Sequence, residues 1–209
     1  MQKELINSFA KQPIIIVFRL SDSELDSKDS INKILSDIQK LNEIGVKHIE
    51  VAWSSSLSWH NMISEIQSSF PNIQLGAASV NTKMALNTVI DLKLKYSMSP
   101  IFDINLQKKA RKNKQILIPG AFSPSEVNQC INFGSRIVKI FPASKLGINF
   151  IRQIQKPLGS QLFTVAAGGM EVKDVSKWIE AGYGSIAIGR KLMRNNMIDK
   201  DLINWLNNN

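Results

Sequence analysis

The chain has 209 residues, 44% hydrophobic and 21% charged, enough for one sizeable core and ordinary for a soluble globular protein. Its 26 Lys and Arg against 17 Asp and Glu give a net charge of +9, but the cations are scattered and not interleaved with aromatics, which argues against nucleic acid and fits steering of a small anionic substrate. The single Cys130 excludes an internal disulfide framework, His48 and His60 are too few for a histidine-rich metal site, and the absence of a signal-peptide pattern or bilayer-length apolar run makes the cytoplasm the default, with no membrane partner.

Eight short apolar runs lie near residues 14–18, 48–52, 73–77, 95–98, 115–118, 137–141, 162–166 and 185–188, with helix-like segments between them. The polar residues 21–30 follow the first run. Ile31, Ile34, Leu35, Ile38 and Leu41 then have amphipathic-helix spacing, ended by Gly45. His48 opens the second run and is placed at the floor of the fold. Met62, Ile63, Ile66 and Phe70 mark a second helix, with His60 on its solvated face, and Lys109, Arg111, Lys112 and Lys114 read as one solvated helix end. Ser123-Pro124-Ser125-Glu126 is a capping box with proline at the first helical position, and Gly134 closes that helix. Val172, Val175, Trp178 and Ile179, followed by Gly182, predict another, and Ile198, Leu202, Ile203 and Leu206 the last. Strict alternation with eight strands predicts a single-domain (β/α)₈ TIM barrel over residues 1–209. A doubly wound open sheet is the alternative, but no Gly-rich loop follows the first strand.

Two runs carry a charge. In Ile137-Val138-Lys139-Ile140-Phe141-Pro142, Val138 and Ile140 share one face and Lys139 points the other way. If helices cover the outer face, Lys139 points inward, where desolvation lowers its pKa and frees a neutral amine that can attack a ketone. Glu50, between Ile49 and Val51, points inward by the same parity. An interior amine and carboxylate are the minimal equipment for imine chemistry; a structural ion pair, or a lysine at a strand end reaching water, is the bland alternative.

The seventh run leads into Ala167-Gly168-Gly169, and the eighth into Gly189-Arg190-Lys191. Loops after these two strands of a barrel commonly bind phosphate through backbone N–H groups, and Arg190 and Lys191 could add charge. Glycines there can also be plain turns.

The chain resembles the 2-keto-3-deoxy-6-phosphogluconate and 4-hydroxy-2-oxoglutarate aldolases. The resemblance is carried in order by Pro13-Ile14-Ile15-Ile16-Val17-Phe18-Arg19, Ile49-Glu50-Val51, Leu75-Gly76-Ala77-Ala78-Ser79-Val80, Ser97-Met98-Ser99-Pro100, Leu117-Ile118-Pro119-Gly120, Val138-Lys139-Ile140-Phe141-Pro142-Ala143 and the Gly168-Gly169 turn. It implies a class I, Schiff-base aldolase on a compact barrel, a homotrimer, with no metal or other cofactor, acting in carbohydrate metabolism of the Entner–Doudoroff type on a small anionic 2-oxo acid, possibly phosphorylated. It makes Lys139 the imine-forming lysine and Glu50 the general acid/base. Ser79 falls where a threonine contacts the pyruvate carboxylate, Pro100 and Phe141 at pocket-lining positions, and Gly168 and Gly169 at the phosphate turn.

Departures from the pattern lie at Ser54, where the family has an arginine for the substrate carboxylate, and at Ala167, Ile101 and Gly189-Arg190-Lys191. Imine chemistry is therefore expected to be kept and carboxylate recognition rebuilt, with Arg19 the candidate replacement. Decarboxylation of a short oxo-diacid through the same imine, and a barrel that binds a phosphorylated metabolite without turnover, are the alternatives.

Overall fold

The computed structural model describes residues 1–159, 162–189, 193–194 and 197–208. Strands β1 (Ile14–Phe18), β2 (His48–Ala52), β3 (Gln74–Ala78), β4 (Tyr96–Met98), β5 (Leu117–Ile118), β6 (Gly120–Ala121), β7 (Ile137–Ile140), β8 (Phe163–Ala167) and β9 (Ser185–Ile188) form one parallel sheet. Its order is β5-β4-β3-β2-β1-β9-β8-β7-β6. The two outermost members, β5 and β6, are consecutive in the chain and separated only by Pro119. The sheet therefore returns on itself and makes the nearly closed barrel of the TIM type. The eight expected runs all become strands; the fifth is split because proline has no N–H for the ladder. The Pro119 carbonyl instead accepts the Lys139 N–H at 2.9 Å.

Side chains alternate between the two faces of the barrel wall as strand parity requires. Ile49, Val51, Val138, Ile140, Ile186 and Ile188 point outward into the layer beneath the helices, with Ile38 and Leu41 of α3 (Lys28–Glu43), Ile63 of α4 (Leu57–Ser69) and Leu86 of α5 (Lys83–Asp91). Ile15, Tyr96, Met98, Ile137, Val165 and Ala187 point inward and form a separate inner core.

The interior is stoppered by a helix the apolar pattern did not foretell, α1 (Gln2–Lys11). Only Leu5 and Phe9 of it are buried, too sparse a stripe to stand out in the sequence. The Phe9 ring meets His48 edge-on at 4.8 Å and Tyr96 at 5.2 Å, so His48 does sit at the floor, where burial pushes its imidazole down to about 4. This closes the N-terminal end of the barrel and leaves the C-terminal end open.

Above β1, the polar residues 21–30 hold two helix starts. Ser21 and Glu24 form a capping box on the short α2 (Asp22–Leu25), and the Ser27 side chain caps α3. The expected capping box at Ser123 and Glu126 is present on α7 (Pro124–Phe133), closed by Gly134 in the left-handed region at φ 87°. On α6 (Ile104–Lys112), Arg111 lies over the Phe133 ring at 4.1 Å, so part of that basic run is a tether to α7. The segment expected as one helix from Val172 is a 3₁₀ turn, Val172–Asp174, continuing into α10 (Val175–Glu180), after α8 (Ala143–Leu146) and α9 (Phe150–Gln155). Ile198, expected in the last helix, belongs to a short antiparallel pair, β10 (Met193–Arg194) with β11 (Met197–Ile198). The helix itself, α11, covers Lys200–Asn207.

Candidate active site

Both interior charges reach one cavity of about 480 Å³ at the open end of the barrel. Its lining includes Arg19, Glu50, Lys139, Phe141, Gly168, Gly169 and Gly189, seven of the residues singled out in the sequence, together with Val17, Ala78, Ala167, Met170 and Ala187. Ala167 is the departure noted beside the glycine turn; Val17, Ala78, Met170 and Ala187 were missed because small and apolar inward positions carry no chemical signature, although the alternation with Ile15 could have found Val17. A larger hollow of about 960 Å³, between Lys40 on α3 and Lys200 on α11, lies on the outside of the barrel and contains neither interior charge.

Lys139 stands in the middle of β7, buried, with Nζ 4.7 Å from the centre of the Phe141 ring. Burial is the main force on it and lowers its pKa; the nearby Glu50 charge opposes that, and Arg19 adds to it. Glu50 is 1% exposed on β2, and burial pushes its carboxyl up to about 7 against the pull of Lys139. The two do not close to ion-pair distance, unlike Lys40 with Asp37 at 3.7 Å. A small carbonyl compound therefore has room between a desolvated amine and a carboxyl poised to hold or release a proton near neutrality.

At the rim, Arg19 follows β1 and Ser79 follows β3. Arg19 Nη2 donates to Ser79 Oγ at 2.9 Å, and Ser79 adopts φ 62°, an uncommon conformation for a residue with a side chain. The pair presents a guanidinium and a hydroxyl together, and Arg19 is exposed, with no carboxylate in ion-pair contact among the described residues. Ser54 does not reach the cavity; its hydroxyl accepts the Ser56 N–H at 3.2 Å within its own turn.

Opposite, Gly168 and Gly169 have φ of 91° and 83°. A Cβ on Gly168 would press on Pro142 and Phe141 at 3.0–3.1 Å, and one on Gly169 would collide with Ser144. The turn therefore needs glycine both for its backbone and for close packing on α8. Gly189 lies alongside in the same lining, whereas Arg190 and Lys191 lie outside the described residues. Pro100 is half-buried, its carbonyl against Gly120, and is not part of this lining. Among the described residues no group of three or more His, Cys, Asp or Glu could hold a metal ion.

The chain as a whole is similar to known proteins. The family described as "Aldolase: KDPG and KHG aldolase" matches residues 6–207. The chain is 22% identical over 164 residues to the 2-dehydro-3-deoxy-6-phosphogalactonate aldolase of Escherichia coli (strain K12), covering 78% of this chain and 80% of that one. It is 25% identical over 162 residues to a probable 2-dehydro-3-deoxy-6-phosphogalactonate aldolase of Rhizobium meliloti (strain 1021), covering 78% and 76%. In fold it is similar to the KDPG aldolase of Legionella pneumophila, solved with pyruvate captured as a covalent carbinolamine, with a TM-score of 0.77, 22% identity and coverage of 96% and 95%. The chain belongs to the KDPG and KHG aldolase family and is, with that family, a lyase.

Proposed function

We propose that this protein cleaves a phosphorylated 2-keto-3-deoxy sugar acid, or a 4-hydroxy-2-oxoglutarate-type acid, to pyruvate and an aldehyde through an imine on Lys139. The observation that carries the reading is the convergence of a buried lysine of lowered pKa and a buried glutamate of raised pKa on one cavity. Neutral Lys139 Nζ attacks C2 of the substrate, and the carbinolamine takes a proton from Glu50 and loses water, giving a protonated imine and an ionised Glu50. Glu50 takes the proton from the C4 hydroxyl as the C3–C4 bond breaks. The bonding pair moves into the imine, leaving an enamine and releasing the aldehyde. Glu50 returns a proton to C3, and water hydrolyses the imine to free pyruvate and Lys139.

Arg19 and Ser79 hold the substrate carboxylate, the guanidinium serving as the charge-assisted donor that Ser54 cannot supply. Gly168, Gly169 and Gly189, with Arg190 and Lys191, take the distal phosphate. Phe141 supports the lysine across its ring, and Pro100 lends the β4 loop its shape.

We further propose a homotrimer in the cytoplasm. Leu57, Met84, Ile101, Ile104 and Phe122, all exposed, lie at the starts of successive helices along one arc of the barrel rim, an apolar band suited to a subunit contact. No helix among the described residues is long and apolar enough to cross a membrane.

The test is reduction with borohydride in the presence of pyruvate, followed by peptide mass spectrometry. The expected result is a stable adduct on the peptide carrying Lys139, lost in Lys139→Ala. An adduct on another lysine, or none in active protein, overturns the mechanism.

A further inference from the structure

We infer that the Tyr96 hydroxyl is a positioning donor for the Glu50 carboxyl, reaching it through the gap that Gly76 leaves in the barrel wall. This deepens the proposed function and rests on Glu50 being its proton-handling group. In the parallel register, Val17 is level with Glu50, Glu50 with Gly76, and Gly76 with Tyr96. These four positions form one inward-facing row across β1, β2, β3 and β4. A side chain on β3 would separate Glu50 from Tyr96, but Gly76 has none.

The Tyr96 ring fills that gap. A Cβ on Gly76 would meet Tyr96 Cε2 and Cζ at 2.7 Å and Cε1 at 3.0 Å. These are the atoms at the hydroxyl end of the ring, so the phenol is laid across β3 with its oxygen directed toward β2. Phe9 of α1 packs against the ring at 5.2 Å and 87°, holding it from the floor.

Two buried polar atoms at this place lack a well-formed hydrogen bond: Glu50 Oε1 and Tyr96 Oη. A donor and an acceptor stranded side by side in an apolar interior complete each other. The contact is looser than an ordinary hydrogen bond in this structure, yet the phenol already acts on the carboxyl in the direction of a donor, favouring its charged form, while burial, and then the Glu50 charge, push the phenol well above its ordinary range. With Oε1 engaged by the phenol, Oε2 is left to face the cavity that Glu50 lines.

The other charged or titratable groups around Glu50 are few. Lys139 faces it from β7 and Arg19 stands at the end of β1; His48 lies two residues earlier on its own strand, turned to the floor. The inward positions of β3, β8 and β9 are Gln74, Gly76 and Ala78, Phe163, Val165 and Ala167, and Ser185 and Ala187, none of which titrates. Tyr96 is thus the one hydroxyl set level with Glu50 in this row.

The role is to fix the carboxyl's rotamer and to keep it partly ionised near neutral pH despite its burial. Exchange of the pyruvate methyl protons in D₂O, followed by NMR as a function of pH, reads it directly. This exchange needs the imine on Lys139 and a base to carry the C3 proton, and no aldehyde substrate. Tyr96→Phe keeps the ring and removes only the donor. The expected result is an acid limb moved to higher pH by about one unit, which is about tenfold slower exchange below the limb, with recovery toward the wild-type rate above it. Glu50→Gln is expected to lose exchange at every pH while still forming the borohydride-trapped adduct. If Glu50→Gln loses exchange but the Tyr96→Phe profile superimposes on wild type, or drops equally at every pH, the inference is overturned and the proposed function stands. If Glu50→Gln exchanges normally, the role proposed for Glu50 falls, and the inference with it.

Discussion

At the scale of single residues, the molecule spends stability on two interior charges. An unpaired buried charge is costly, and a buried pair is a weak stabiliser even when well made. Glu50 and Lys139 are both buried and remain apart. Their burial is explained by what each becomes there, an amine easier to deprotonate and a carboxyl easier to protonate. General acid/base groups contribute about 10²–10⁴-fold, so Glu50→Gln should lower kcat by that order in a steady-state assay; a loss under about threefold would assign the proton to another group. Arg19 answers a separate question, because Ser54 is turned into its own loop. Loss of a hydrogen bond to a charged group costs about 1.5–3 kcal/mol, so Arg19→Ala should raise KM for a 2-oxo acid by about ten- to a hundredfold with a smaller effect on kcat. An unchanged KM would mean that the carboxylate is held elsewhere. The two interior charges could be read from strand parity alone; the Arg19–Ser79 bond could not, because its partners are 60 residues apart and meet only when β1, β2 and β3 lie side by side.

At the scale of elements, periodicity announced eight strands of the barrel and several of the outer helices, since each buries one face and repeats accordingly, but not β6, β10 or β11. It failed where burial is local. Helix α1 has only Leu5 and Phe9 to bury, both against the open floor of the barrel. Phe9 touches His48, Tyr96 and Phe163. Phe9→Ala should therefore cost about 3–5 kcal/mol, seen as a lower denaturation midpoint. A second weak point is the break at Pro119. The β6 strand begins at Gly120, where a Cβ would collide with the backbone of Ser99 and Pro100, which cannot rotate away. Gly120→Ala should destabilise by at least the 1–3 kcal/mol typical of overpacking and open the seam between β5 and β6. A circular-dichroism melt indistinguishable from wild type would refute that reading of the seam.

At the scale of the whole molecule, two buried groups oppose each other in the dependence of stability on pH. His48 falls from 6.5 to about 4 on folding, so its contribution is present above 6.5 and lost as pH drops through about 4. Glu50 rises from 4.5 to about 7, so its contribution is present below 4.5 and lost as pH rises through about 7. Each shift is on the order of 3 kcal/mol, with opposite sign over nearly the same window. The wild type should therefore melt at nearly constant temperature across that window. Glu50→Gln should unmask a Tm that rises with pH, and His48→Gln one that falls. Parallel flat profiles in all three proteins would contradict the burial of these groups. At the same scale, light scattering should give three subunits, and Met84→Glu or Ile104→Lys on the apolar rim should shift the mass toward one; a wild-type monomer would end the trimer proposal.

From the sequence alone came the eight apolar runs of the barrel wall, the inward direction of Glu50 and Lys139, the glycines after β8 and β9, and the family whose pattern they follow. These are properties of neighbouring residues, fixed by a period of two in strands and by backbone freedom at glycine. The assembled barrel was needed to bring Arg19 to Ser79, to keep Ser54 and Pro100 out of the cavity, to set α1 as the stopper of the floor, and to lay Tyr96 across Gly76 toward Glu50. Each of these depends on the register between strands, and register arises when separate faces find a common core rather than from any local run of residues.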